Sequence, residues 1–434
     1  MHICHHIRLF CEICINIRTT KSNMRQVIMM FLLTALSSSV TAQNTVVVTV
    51  SNPTNSNRAD VPIIINTGPY GEVRSALVTL NGQEIPCQLD DLDQNDSFDE
   101  LCFLANLDKK ETKHYTITFS EEGEPRSYPA RVYAEMVLAN TKDKTLKKHQ
   151  QNNYIEALTA RGDAAYTYNV QHHHGVDFES ELNGIRIYFD ARQTLDLYGK
   201  YNKRLELKDT QFYTSDEQKA QGYGDDVLWV GQTFGLGAFR GWDGQKPTLV
   251  EPVRTRTQRV ISYGPLRAIV EVIDRGWQAP STHTQNLSPI NMTLRYTQYA
   301  GHRDTDVDVF FNKDVSNYRF STGIINVKDS KEFSDKKGLR ACWGTDYPAA
   351  DTTKWQRETV GLAVLVPQKN IVSEEPANKD NYAYVLQVKG NQMAYKVTYT
   401  SANESFGYHS AKEWFDYLKA WRKEVEQPVV VTIR

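Results

Sequence analysis

Long apolar runs, charge of one sign and paired cysteines are all scarce in this sequence. The apolar run Val27–Leu33 is too short to span a bilayer, so no permanent membrane anchor is expected there. Fifty Lys and Arg against 52 Asp and Glu leave a formal charge of −2. That balance excludes nucleic-acid backbone binding as the main task, because such binding needs a strongly basic face. Of the six cysteines, Cys4, Cys11 and Cys14 stand in the first 23 residues, leaving Cys87, Cys102 and Cys342. Three cannot all pair and none has metal-ligand spacing; an oxidising compartment permits one bridge, Cys87–Cys102. No GxSxG, HExxH, Walker A or strand-following GxGxxG pattern occurs, which speaks against serine hydrolase, zincin, NTPase and dehydrogenase chemistry. Internal repeats and low-complexity tracts are also lacking.

What is present is a globular composition. Hydrophobic residues make up 40% and charged residues 24%, which fits neither a disordered nor a fibrous chain. At 434 residues the chain exceeds the ~250–300 at which a single core stops growing, so two domains are expected. Aromatics reach 11%, with 23 Tyr and 7 Trp, suiting an all-β protein or a sugar-handling surface.

Arg25, the apolar run after it and the small residues 37–42 read as a secretory signal cleaved after Ala42, with Val40 and Ala42 at the small-residue positions. Met24 is then the expected start, and the Cys and His residues ahead of it carry no role. No lipoprotein cysteine follows the cleavage point, so a soluble, exported, periplasmic protein is expected. Removing residues 1–42 takes away four basic and one acidic side chain, for a net charge of −5.

Beyond residue 43, short β-branched runs at 45–50, 61–65, 73–80, 101–107 and 114–119 alternate with turn residues, which predicts a small β-sandwich over 43–125. Glu121-Glu122-Gly123-Glu124-Pro125 reads as its boundary. From 130 to 434 further runs predict a large two-sheet sandwich: 184–190, 193–200, 227–231, 257–263, 266–274, 291–299, 304–312, 360–366, 382–388 and 393–400. One helix is expected near the end. Ser410 and Glu413 form a capping-box pattern, Trp414, Leu418, Trp421 and Val425 share a face, and Pro428 stops it before a last strand at 429–433.

Several short patterns could carry chemistry. Asp91, Asp93, Asn95 and Asp99 space oxygen ligands along one loop, as a structural calcium requires; the alternative is a solvated acidic hairpin turn, since Asp96 replaces the usual glycine. In His172-His173-His174-Gly175 at most two rings can meet one ion, and a neutral imidazole can act as a base; plain loop histidines are the alternative. Asp177, Glu179 and Glu181 share a face if that segment is extended, as do Arg186, Tyr188 and Asp190, with Tyr198 and Lys200 following. Arg186 is either solvated or a carboxylate clamp. Asp225 and Asp226, in a glycine-flanked turn before Trp229, offer the paired acids of glycoside hydrolysis or a simple turn cap. Trp242 in Gly241-Trp-Asp-Gly244 reads as a sugar-stacking ring or a hairpin tip, and Gly301-His302-Arg303-Asp304 as an imidazole–guanidinium pair at a strand mouth. Arg254, Arg256 and Arg259 form a basic cluster or a solvated strand face.

The segments from Gln88 to Leu101, His172–Gly175, Arg186–Asp190, Gly222–Trp229 and Gly241–Gly244 resemble the exported family called domain of unknown function 4861, over essentially the whole chain after residue 42. That resemblance implies a galactose-mutarotase-like β-supersandwich. It also implies a setting of pectin and other uronic-acid glycan breakdown, with no catalytic mechanism attached.

The expectation is a periplasmic enzyme on uronic-acid-containing oligosaccharides, with no cofactor beyond the loop calcium. In β-elimination, His174 or Tyr198 takes the proton while Arg186, Lys200 or Arg303 neutralises the carboxylate. In hydrolysis, Asp225 and Asp226, or one of them with Glu181, serve as acid and base. His173, Trp229 and Trp242 would hold the sugar, and His174, Arg186, Tyr198, Asp225, Trp242 and His302 would line one cleft. A non-catalytic glycan-binding protein and a mutarotase or epimerase are the alternatives.

Overall fold

The computed structural model describes residues 43–139, 151–280 and 288–434. Residues 1–42, in which the sequence leads to an expected export signal, lie outside the described residues. Two sheets near the start enclose their own core. Gln43–Ser51, Thr112–Ser120, Ser75–Leu80 and Gln83–Ile85 form one, and Arg58–Asn66, Glu100–Leu107 and Cys87–Asp90 the other. Alternate residues such as Val48, Val50, Ile63, Phe103, Ile117 and Phe119 meet between them. The last strand, Val430–Ile433, joins this first sheet by pairing with Val48–Ser51. It therefore belongs with residues 43–120 rather than with the 130–434 region in which the sequence pattern put it.

The second core lies between larger sheets. Nine strands make one layer, running through Thr255–Tyr263, Arg267–Trp277, Ile290–Tyr299 and Asp304–Phe311. The opposite layer consists of two five-stranded sheets. One orders Asp225–Asp226, Leu195–Gly199, Gly184–Tyr188, Gly175–Ser180 and Val132–Glu135; the other includes Arg240–Trp242, Phe320–Ile325 and Asn381–Leu386. Single bridges, Leu195 to Gly235 and Leu236 to Ile324, link the two. Phe178, Ile187, Leu197, Val270, Leu294, Val309 and Phe320 are among the side chains sealed between the layers. Antiparallel sheets with one buried face account for the alternation seen along these strands.

The helix Ala411–Glu426 starts where its cap pattern places it. Ser410 accepts from the Glu413 amide, whereas the Glu413 carboxylate reaches the amide of His409 rather than that of Ser410, so half of the box forms. Trp414, Leu418 and Trp421 pack onto Leu339, Ala341 and Ala363 of the nine-stranded sheet. Two short helices, Leu207–Thr210 and Asp216–Ala220, were not anticipated. The strand expected at 227–231 is instead the two-residue strand Asp225–Asp226, because the Asp226 carboxylate accepts from the Leu228 amide and turns the chain away. Cys87 and Cys102 are both free and buried. Cys87 stands opposite Phe103 and Gln88 opposite Cys102, so the one-residue offset points the two thiols to opposite faces of their sheet.

Gln88 and Asp90 tie the three-stranded sheet to the nine-stranded one. The Gln88 amide oxygen accepts from the amides of Leu266 and Arg267, and Arg267 Nε donates to Asp90 at 2.6 Å with Glu100 at 2.9 Å. Both Arg267 and Asp90 are buried, so removing the cation strands a carboxylate. Arg267→Ala is expected to lower stability by ~3–5 kcal/mol, the usual cost of breaking a buried pair. Urea denaturation checks this, and a loss below ~1 kcal/mol, typical of an exposed pair, would contradict it.

Candidate functional site

The five-stranded sheet Val132–Glu135 to Asp225–Asp226 buries apolar residues on one face and charge on the other. Val132, Ala134, Val176, Phe178, Ile185, Ile187, Leu195 and Leu197 point into the core. Their alternate neighbours line up across the strands: Glu135 opposite Asp177, Asp177 opposite Arg186, Arg186 opposite Asp196. The next rank holds Tyr133 opposite Glu179, and Tyr198 opposite Asp226. The segment 206–213 lies over this face, so most of these charges are buried.

Arg186 is the cation at the centre. Its guanidinium donates to Asp196 at 2.6 Å, to Asp226 at 3.0 Å and to the Tyr188 oxygen at 3.1 Å, and it stacks 4.1 Å over Phe212. It is thus a carboxylate clamp, closed on the protein's own acids. Burial would lower its pKa, but Asp196, Tyr188 and Asp226 outweigh that and raise it well above the usual value. Burial and the Asp196 charge push the Asp226 carboxyl up, against the pull of Arg186. Asp225, pushed up by burial, pairs with Lys219 at 2.5 Å.

Glu135, His173 and Asp177 meet at the other end of the rank. All three are buried, and one donor atom from each lies within 4.8 Å of the others. His173 Nδ1 sits 2.8 Å from the Gly175 carbonyl and so carries the hydrogen; Nε2 lies 3.5 Å from Glu135 and 3.6 Å from Asp177. Burial first, then the Glu135 and Glu179 charges, raise the Asp177 carboxyl well above its usual value. Gly175 makes this approach possible, since a Cβ there would lie 1.7 Å from the Ile187 carbonyl oxygen. His174, in the left-handed region at φ 72°, turns away and stacks on Tyr168 at 3.9 Å.

Glu135 opens onto a cavity of about 390 Å³ walled by Tyr133, Tyr154, Tyr263 and Lys208. A neighbouring cavity of about 630 Å³ shares Tyr133, Lys208 and Tyr263. Both volumes suit small-molecule or sugar sites, which run to ~300–1,000 Å³. Tyr154 and Tyr263 are half exposed, and the Tyr133 hydroxyl donates to Glu135 at 2.7 Å. Burial and the Glu135 charge push the Tyr133 phenol up strongly.

Of the residues singled out from sequence, His173, His174, Arg186, Tyr198, Lys200, Asp225 and Asp226 belong to this sheet or its margins, but their roles differ from expectation. The buried Tyr198 hydroxyl lies 3.1 Å from Glu206, 3.0 Å from Thr214 and 2.9 Å from the Gly224 carbonyl, so it is not poised as a base. Lys200 Nζ donates to Glu179 at 2.5 Å and to the carbonyls of Ser180 and Arg204, which uses all three of its protons. Glu181, beyond the strand end, takes Arg131 and the Gly301 amide. The single cleft does not assemble. Trp242 is buried in the other five-stranded sheet, paired with its neighbouring strands, and cannot offer a stacking face. His302 and Arg303 stand at the turn between Ile290–Tyr299 and Asp304–Phe311; Arg303 is closed on Glu404 at 2.7 Å. Trp229 is half exposed. In the acidic loop, Asp91, Asp93 and Asp99 come within 4.8 Å of one another, while Asp91 accepts the amides of Gln94, Asn95 and Asp96, and Asn95 donates to Asp93.

Glu135, Tyr133, Tyr154, Tyr263 and Lys208 escaped the sequence reading. Tyr133 and Glu135 carry the period-two signal in Val132-Tyr133-Ala134-Glu135, but so short a run falls below what alternation can single out.

A β-sandwich with a buried acid–base rank and a tyrosine-walled cavity beside it is the class that fold and site define. The family described as Domain of unknown function (DUF4861) matches residues 50–431, and the chain belongs to that family. No curated protein matches the chain. Among solved structures it is similar to a glycosyl hydrolase family 38 protein from Enterococcus faecalis, with 10% identity, a TM-score of 0.47 and coverage of 94% of this chain and 50% of that one. It is also similar to an alpha-mannosidase from Enterococcus faecalis V583, with 10% identity, a TM-score of 0.48 and coverage of 95% and 48%. The chain spans about half the length of these structures. Among the described residues no helix is long and apolar enough to cross a membrane.

His302 has a measurable role where it stands. Its ring nitrogens lie 3.1 Å from Asp304 and 2.8 Å from the Asp60 carbonyl, joining the turn to the first sandwich. Burial pulls its pKa down, but Asp304 outweighs that and holds it above the usual 6.5. The protonated ring therefore adds stability that is fully present below pH 6.5 and lost as the pH rises through the raised folded value. Replacing it by His302→Gln should flatten the stability–pH curve over that window, read by thermal melts from pH 5 upward; an unchanged slope contradicts the role.

Proposed function

We propose that this protein is an exported, periplasmic carbohydrate-active enzyme that takes uronic-acid-containing, pectin-like oligosaccharides in the Tyr133–Lys208–Tyr263 cleft and cleaves them by β-elimination. The observation that carries this reading is the Tyr133–Glu135 pair at the cavity wall. The phenol proton points at Glu135, which leaves the lone pairs of the phenol oxygen free to accept. Tyr133 takes the proton from the sugar carbon beside the carboxylate while its own passes to Glu135. The exposed Lys208 neutralises the sugar carboxylate as charge builds on that carbon. A carbon–carbon double bond forms, the bond from the next ring carbon to the glycosidic oxygen breaks, and the pair returns the proton to the leaving oxygen. Tyr154 and Tyr263 give flat apolar faces for neighbouring sugar rings. The glycan setting implied by the family resemblance agrees with this substrate class.

Incubation with pectin- and alginate-derived oligosaccharides tests the reading. Absorbance of the unsaturated uronide is expected to rise; new reducing ends without that rise mean hydrolysis and overturn elimination. Tyr133→Phe is expected to lower kcat by ~10²–10⁴-fold with little change in KM, the usual worth of one positioned acid–base group. Lys208→Ala should lower kcat as well as raise KM, because its charge is met most strongly in the transition state. Full turnover by Tyr133→Phe contradicts the assignment.

A further inference from the structure

We propose that Glu135, His173 and Asp177 form a binding site for one divalent transition ion of the zinc class. The inference goes beyond the uronide reading and does not rest on it. Its ground is a set of polar atoms buried without partners: Glu135 Oε1, His173 Nε2 and both carboxylate oxygens of Asp177. His173 and Asp177 are wholly inaccessible to solvent and Glu135 is 4% exposed. Buried carboxylates left without a donor or a cation are costly.

Among the described residues, the protein's own groups do not meet this need. Arg186, the nearest cation along the rank, is closed on Asp196, Asp226 and Tyr188. Tyr133 reaches only the other oxygen of Glu135. Lys200 is closed on Glu179. A protonated His173 does not close the gap either: at 3.5 and 3.6 Å both contacts are too long for hydrogen bonds. A proton on Asp177 finds no acceptor within hydrogen-bond reach on either oxygen.

An ion fits where protons do not. Zinc binds imidazole nitrogen and carboxylate oxygen at ~2.0–2.2 Å, so two tetrahedral ligands stand roughly 3.4 Å apart. The observed 3.5 and 3.6 Å are close to that spacing. Two carboxylates balance the charge of a divalent ion, and a neutral imidazole supplies the nitrogen that favours zinc over calcium or magnesium. The hydrogen bond from His173 Nδ1 to the Gly175 carbonyl fixes the tautomer that leaves Nε2 as a lone pair, as metal-binding histidines require. Register does the assembly: Asp177 pairs directly with Glu135 across the strands, and His173 lies four residues before Asp177. Three protein ligands leave a fourth position open.

The test uses the full chain, stripped with chelator and titrated with zinc chloride alone. Calorimetry and elemental analysis should give one zinc per chain, with a rise in Tm. His173→Ala and Asp177→Asn, checked for folding by circular dichroism, should weaken binding by more than the ~10–100-fold that loss of an outer partner costs. Asp91→Asn, in the acidic loop, should leave binding unchanged. Cobalt(II) loading of the wild-type chain gives a second readout that needs no variant: the intense visible bands of a four-coordinate site with nitrogen are expected. Failure of the stripped wild type to take up zinc, wild-type affinity in both variants, or a weak six-coordinate cobalt spectrum would overturn the site. None of these measurements involves sugar, so they stand or fall separately from the elimination assay.

Discussion

Arg186 sets the terms for the small sheet. A guanidinium on a covered strand face is tolerable only if carboxylates meet it, so Asp196 and Asp226 are drawn to it from the next two strands, with Tyr188 and Phe212 closing the sides. That pairing fixes the register of Gly184–Tyr188 against Leu195–Gly199 and brings Asp225–Asp226 in as the edge. A separate pairing, Gly175–Ser180 against Val132–Glu135, places Asp177 beside Glu135. The clamp and the cluster share one face because in each pairing a slip of one residue would send the strand's charges into the apolar core.

The same face divides its charges into the satisfied and the unsatisfied. Glu179 accepts Lys200 and the amides of Glu206 and Leu207, which pins the segment 206–213 to the sheet. Glu206 in turn receives Arg204, Tyr198 and the Gly224 amide. These pairs build the shell. Glu135 and Asp177 keep oxygens that no neighbour occupies, and Glu135 alone of the two borders the cavity. Charges left open beside a cavity, among others that are closed, are what single this place out as the candidate site.

Local pattern made much of the fold legible. Alternation in Thr305–Phe311, the apolar face of Trp414, Leu418 and Trp421, and the runs of the first sandwich all appear as strands or helix near their expected places. The charged segment around His173, Asp177 and Arg186 was also visible, because acids and a guanidinium at alternating positions need an explanation. Pairing was not. Whether Lys200 would face a sugar or Glu179, and whether Tyr198 would be free or tied to Glu206, depends on which strand lies alongside, and a single sequence carries no record of that. Trp242 shows the same limit: of a sugar-stacking ring or a hairpin tip, the structure has the hairpin, with Trp242 paired to Pro247 ahead of the Asp243–Lys246 turn, and the sheet buries the ring.

Val430–Ile433 beside Gln43–Ser51 has a consequence for how the molecule is made. The opening strand is synthesised first, yet its outer edge receives its neighbour only once the chain has been made out to Val430 and beyond. Until then Val47, Thr49 and Ser51, whose backbone groups point away from Thr112–Ser120, present unpaired amides and carbonyls to anything that can add a strand. A chain cut short before Val430 would leave that edge unpaired. The late arrival of one short strand therefore exchanges a nine-residue edge for an exposed four-residue one, a shorter template for stray pairing.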